Sequence, residues 1–82
     1  MEVTLLFFAG ARDITQHGSR KLRLPPAIDT ASRLLDWLCI EYPGLGPYSD
    51  CLRIAQNECF IGAQDQLRDG DVLAVVPPVA GG

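Results

Sequence analysis

No two cysteines in this chain stand at the spacing of a zinc or redox site, and the three present, Cys39, Cys51 and Cys59, are odd in number. The pattern reads as reduced, mostly buried thiols in a reducing compartment. Basic residues are also few: seven Lys and Arg against ten Asp and Glu give a net charge of −3. That balance argues against a surface that tracks phosphates, so nucleic acid is not expected as a partner. A long apolar run is missing too. The opening "MEVTLLFFAG" has an acid at Glu2, no basic leader region, and too short an apolar stretch to span a bilayer. The expectation is a cytosolic protein that enters no membrane. At 82 residues there is room for one small sheet and one or two helices, but not for a large enclosed catalytic cavity.

What is present is a regular alternation of short apolar segments and turns. Val3–Phe8 is β-branched, aromatic and aliphatic and is closed by Gly10, which favours a strand. "ARDIT" reads as a single helical turn and "QHGS" as a turn into a second strand, Arg20–Leu24, completing an N-terminal hairpin. After "PPAIDT", Thr30 can cap a helix whose apolar positions Ala31, Leu34, Leu35, Leu38 and Tyr42 recur at helical spacing. Pro43-Gly44 ends it, and "GLGPYSD" reads as a loop anchored by Leu45. Cys51–Gln56 and Cys59–Gly62 read as strands joined by a tight Asn57-Glu58 turn. Asp69 and Asp71 shape an Asp-Gly-Asp turn before the last strand, Val72–Val76. This order predicts an α+β domain of the β-grasp kind over residues 1–76, a mixed sheet with one main helix packed on one face, followed by an extended tail over residues 77–82.

One helix covers one face of a sheet. If Val3, Leu5 and Phe7 point towards it, then Thr4, Leu6 and Phe8 point away, because strand side chains alternate. By the same rule Leu73 and Val75 point inward and Val72, Ala74 and Val76 outward, and an inward Ile61 leaves Phe60 outside. Either loops or a different register hide these apolar groups, or they form a protein-binding patch.

The chain closes with "PPVAGG". Pro77-Pro78 cannot continue a central strand, since neither residue has an N–H to donate. Val79, Ala80, Gly81 and Gly82 then present backbone and little side chain, a segment able to thread a narrow channel. The Gly82 carboxylate is unhindered, and once adenylated by ATP it could accept a nucleophile.

"VTLLFFAGARDIT", "YPGL" and "LRDGDVLAVVPPVAGG" together resemble the small subunits of molybdopterin synthase, ubiquitin-like sulfur carriers of molybdenum cofactor biosynthesis. The resemblance spans essentially the whole length, and it implies a β-grasp fold. It further implies that an enzyme related to ubiquitin-activating enzymes adenylates Gly82 with ATP and converts it to a thiocarboxylate. Gly81, Ala80, Val79, Pro78 and Pro77 would enter the large subunit, where sulfur passes to cyclic pyranopterin monophosphate. Leu6, Phe8, Phe60 and Val76 would meet that subunit, in an assembly of two small and two large chains. No cofactor and no metal would be held by this chain itself. Ala80 departs from the Ser or Thr found in many relatives, which removes a side-chain hydroxyl.

Three rival readings remain. The diglycine end also suits a carrier of thiamine or tRNA-thiolation pathways, or a ubiquitin-like modifier. A small enzyme using a cysteine and His17 would need a base beside the thiol, and nothing in the sequence pairs them. An adaptor would use the patch and leave the tail inert.

Overall fold

The computed structural model describes residues 1–77. Its order is β1 (Glu2–Phe7), α1 (Ala9–Thr15), β2 (Ser19–Arg23), α2 (Ala31–Glu41), a 3-10 helix (Pro43–Tyr48), β3 (Arg53–Gln56), β4 (Cys59–Phe60) and β5 (Val72–Val76). The strands form one sheet in the order β2-β1-β5-β3-β4. β1 and β5 run parallel at its centre, and the other pairs are antiparallel. With α2 on one face this is the β-grasp arrangement, and β5 takes the central position because it reaches both β1 and β3.

The core is built from one face of each element. Val3, Leu5 and Phe7 of β1, Leu73 and Val75 of β5 and Ile54 of β3 are buried against Ala31, Leu34 and Leu38 of α2. Thr30 caps α2, its Oγ1 accepting from the Arg33 N–H at 3.3 Å. Such a cap contributes about 1 kcal/mol. Leu45 is fully buried, so the segment after α2 is pinned to the core as expected.

Several boundaries differ from the sequence reading, each for a local reason. β1 ends at Phe7, because the Phe8 carbonyl already accepts from the Ala11 and Arg12 amides and starts α1. α1 is therefore seven residues, Ala9–Thr15, rather than a single turn at "ARDIT". It stops where Gln16 turns left-handed, at φ 64°. β2 lies one residue earlier than expected, although the Leu24 amide still donates to the Met1 carbonyl at 2.7 Å. The "GLGPYSD" loop is largely a 3-10 helix. Cys51 is in a turn rather than a strand, since the Cys51 and Leu52 amides both donate to the Tyr48 carbonyl, and β3 begins only at Arg53. β4 keeps two residues, as Gly62 is drawn into a turn by the Asp65 carboxylate. The cysteines are not mostly buried: Cys51 and Cys59 are exposed and Cys39 is half-buried.

Candidate functional site

The side of the sheet away from α2 carries the candidate site, and register alone assembles it. Leu6 pairs with Ala74, Ala74 with Ala55, and Ala55 with Phe60. This is one row across four strands, with all side chains on the outer face. Phe8 follows Leu6 by two residues in extended conformation (φ −120°, ψ 154°), so it joins the same face although it lies just past the strand. Val72 and Val76 extend it along β5. Phe8, Phe60 and Val72 remain 49%, 55% and 41% exposed, so no described loop hides the patch and the register is the one the alternation required.

The patch has relief. Ala74 and Ala55 are small and lie low, while Leu6, Phe8 and Val72 stand around them as walls of a shallow groove, bordered at its far end by Asn57 and Glu58. On the other side of Phe8 lies a second apolar groove, lined by Ala9, Ile14, Tyr48, Leu52, Val76 and Pro77. Phe8 is thus the ridge between them. The sequence reading misses this second groove, because it places Tyr48 in a loop and Leu52 in a strand and has no means of bringing them beside Ile14 of the first helical turn. The signal was the run of small residues Ala9-Gly10-Ala11 directly after Phe8, which leaves space beside the ring.

The outer face changes character towards β2. There Glu2, Thr4, Ser19, Lys21 and Arg23 replace the apolar residues, and Arg23 pairs with Glu2 at 3.4 Å. The apolar part therefore lies away from β2 and runs along β5 to the end of the sheet from which β5 leaves. Within it, Arg53 lies across from Val76 and holds its guanidinium carbon 4.4 Å from the centre of the Phe60 ring.

Asp71 sets the position of β5. Its carboxylate accepts from Gln56 Nε2 at 2.7 Å, from Asn57 Nδ2 at 3.1 Å and from the Arg68 amide at 2.7 Å. Burial pushes such a carboxyl up, but these three hydrogen bonds and the Arg68 charge outweigh it, and the group titrates below its ordinary value. Asp69 accepts from the Glu2 amide at 2.6 Å, tying the same turn to β1. Both aspartates shape the turn, as the sequence indicated.

Of the sequence-predicted site residues, the structure brings Leu6, Phe8, Phe60 and Val76 to one face. It places Pro77, half-buried, at the mouth of the second groove. Pro78, Val79, Ala80, Gly81 and Gly82 lie outside the described residues. The rival enzymatic groups are scattered: His17 faces the Tyr42 ring at 6.4 Å, and burial and the Asp36 charge push the Cys39 thiol up, which keeps it protonated. Among the described residues no three His, Cys, Asp or Glu side chains gather as a metal site requires, and no helix is long and apolar enough to cross a membrane.

Comparison with known proteins bears on the family and the fold. The chain is 39% identical over 85 aligned residues to the molybdopterin synthase sulfur carrier subunit of Drosophila yakuba, covering 100% of this chain and 92% of that one. Among solved structures, the complex of subunits 1 and 2 of molybdopterin-converting factor from Helicobacter pylori holds a chain 28% identical, fully covered on both sides, at a TM-score of 0.68. A ubiquitin of Caldiarchaeum subterraneum shares the fold at a TM-score of 0.63 and 15% identity, covering 100% of this chain and 98% of that one. A family model described as the ThiS family matches residues 5–82. The chain belongs to the ThiS family, alongside the molybdopterin synthase sulfur carrier subunits.

Proposed function

We propose that this protein is the sulfur carrier subunit of molybdopterin synthase, inert alone and a sulfur donor inside a complex. The observation that carries the reading is the apolar row Leu6–Ala74–Ala55–Phe60 running beside the end of β5, where Pro77 begins the tail. A partner that covers this face receives the tail at its own surface. The large subunit of molybdopterin synthase is that partner, in an assembly of two small and two large chains. The named relatives support the choice, since one is a molybdopterin synthase sulfur carrier subunit and another chain is solved in complex with a second subunit.

The chemistry belongs to Gly82. Its carboxylate oxygen attacks the α-phosphorus of ATP in the site of an activating enzyme, forming an acyl adenylate and releasing pyrophosphate. A sulfur nucleophile then displaces AMP and leaves a thiocarboxylate. In the large subunit that sulfur attacks cyclic pyranopterin monophosphate, and water later restores the carboxylate. Two such transfers build the dithiolene. The small residues Ala80 and Gly81 serve access rather than chemistry, because only a thin segment reaches a buried acceptor. ATP is the activating enzyme's substrate, and this chain carries no cofactor. The setting is the cytosol, where the exposed Cys51 and Cys59 stay as thiols.

The test is reconstitution with the large subunit and cyclic pyranopterin monophosphate. Deleting Gly81-Gly82 is expected to abolish molybdopterin formation while leaving assembly with the large subunit intact. Full-length, sulfur-loaded protein that supports thiazole or tRNA thiolation but not molybdopterin formation would transfer the assignment to those pathways. Unimpaired function of the deletion variant would leave only an adaptor.

A further inference from the structure

The apolar end of the outer face contains one charged strand residue, and its placement sets a condition on whatever covers the face. Arg53 pairs across the sheet with Val76 and stacks on Phe60, with its guanidinium carbon 4.4 Å from the ring centre. A partner that buries Phe60 and Val76 therefore also takes water from the Arg53 guanidinium. Among the described residues the ion pairs engage Arg20, Arg23 and Arg33, and none reaches Arg53. Glu58 borders the neighbouring groove in the turn between β3 and β4, but it is not paired with Arg53. Removing solvent from an unpaired charge is costly, and stacking on an aromatic face replaces only part of the lost hydration.

We propose that Arg53 is a specificity-determining residue of the docking face, and that the protein docked there brings a carboxylate to meet it. The proposal rests on the reading of the outer face as the surface that receives the large subunit. Arg53 holds its guanidinium carbon over the Phe60 ring, and among the described residues no ion pair engages its N–H groups, so they can give a carboxylate two parallel hydrogen bonds, which an ammonium group does not provide. The apolar row supplies the buried area. Arg53 supplies the penalty against partners of equal hydrophobicity that lack an acidic group at that point, which is how a charge at an apolar interface discriminates.

The experiment is calorimetric titration of the full chain against the molybdopterin synthase large subunit of the same organism, at low and high salt. Arg53→Met keeps an apolar cover on Phe60 and removes only the charge. It is expected to weaken binding about 30-fold or more and to flatten the salt dependence. Arg53→Lys restores the salt dependence but not the full affinity, because it lacks the planar fork. Arg53→Glu abolishes binding. Arg53 is exposed, so these variants are expected to fold, and their melting curves check it. If Arg53→Met binds as tightly as the parent with an unchanged salt slope while Phe60→Ala loses affinity, the docking reading stands and the role of Arg53 falls. If Phe60→Ala and Leu6→Asp also bind normally, the docking reading fails and takes this inference with it.

Discussion

Phe7 and Phe8 are joined by one peptide bond and meet opposite surroundings: Phe7 is 2% exposed beneath the helical layer, and Phe8 is 49% exposed on the open side of the sheet. Strand alternation causes the split, and the start of α1 at Ala9 fixes Phe8 at the rim between the two apolar grooves. The two rings therefore answer different questions, one about folding and one about docking.

Substitution separates these roles. Phe7→Ala is expected to cost about 3–5 kcal/mol of stability, since it empties a fully packed site. Phe8→Asp is expected to leave the melting temperature unchanged or higher, because Phe8 holds the N-cap of α1 without a capping side chain and Asp can supply one. The same variant places an unpaired charge in the docking face, so it is expected to lose co-purification with the large subunit. Retained co-purification would remove Phe8 from the interface.

The β3–β4 turn stores strain that can be relieved. Asn57 and Glu58 hold φ at 48° and 77°, left-handed values that a two-residue hairpin turn requires and that glycine adopts without cost. Asn57 earns its place by hydrogen bonds, its Oδ1 accepting from the Val72 amide at 3.0 Å and its Nδ2 donating to Asp71. Among the described residues Glu58 makes no such bond. Glu58→Gly is expected to raise stability by about 0.5–1 kcal/mol, whereas Asn57→Ala is expected to lower it by about 1–3 kcal/mol. Chemical denaturation of both variants checks the contrast.

Asp71 gives the fold an acid-sensitive point. Its carboxyl titrates lower in the folded protein than in the unfolded chain, so its contribution is complete above the unfolded value of about 3.9 and is lost as pH falls through the lower folded value. Asp71→Asn is expected to cost about 1.5–3 kcal/mol at neutral pH. The difference from the parent should shrink as pH drops below about 4. A constant difference across that range in urea titrations would mean that the carboxylate charge is not what the three donors recognise.

The thiols are expected to be bystanders. Cys51 and Cys59 are exposed and should react readily with a maleimide, while Cys39, half-buried and held protonated, should react slowly. Replacing Cys51 and Cys59 by Ser is expected to leave sulfur loading and transfer unchanged. Loss of loading in that double variant would bring a cysteine into the chemistry.

Much of the fold was legible because strand alternation and helix periodicity are local properties. The inward set Val3, Leu5, Phe7, Leu73 and Val75 and the outward set Leu6, Phe8, Phe60 and Val76 follow from parity alone. Asn57-Glu58 was legible from its position between two short apolar runs. What parity does not specify is where a strand hands over to a turn. Cys51 alternated like a strand residue, but two amides converging on the Tyr48 carbonyl placed it in a turn, and its exposure followed. The groove beside Pro77 was hidden for a similar reason, as it needs α1, the 3-10 helix and β5 to meet. The stacking of Arg53 on Phe60 depends on a two-residue β4 folding back beside β3, a contact between residues whose pairing only the register reveals.

The most direct test of the carrier assignment is the intact mass of the protein after incubation with ATP, a sulfur donor and its activating enzyme. Expected is the gain of one oxygen replaced by sulfur, localised to the peptide that ends at Gly82 and lost again when the large subunit and cyclic pyranopterin monophosphate are added. An unchanged mass, with an activating enzyme that demonstrably loads another carrier, would contradict the assignment.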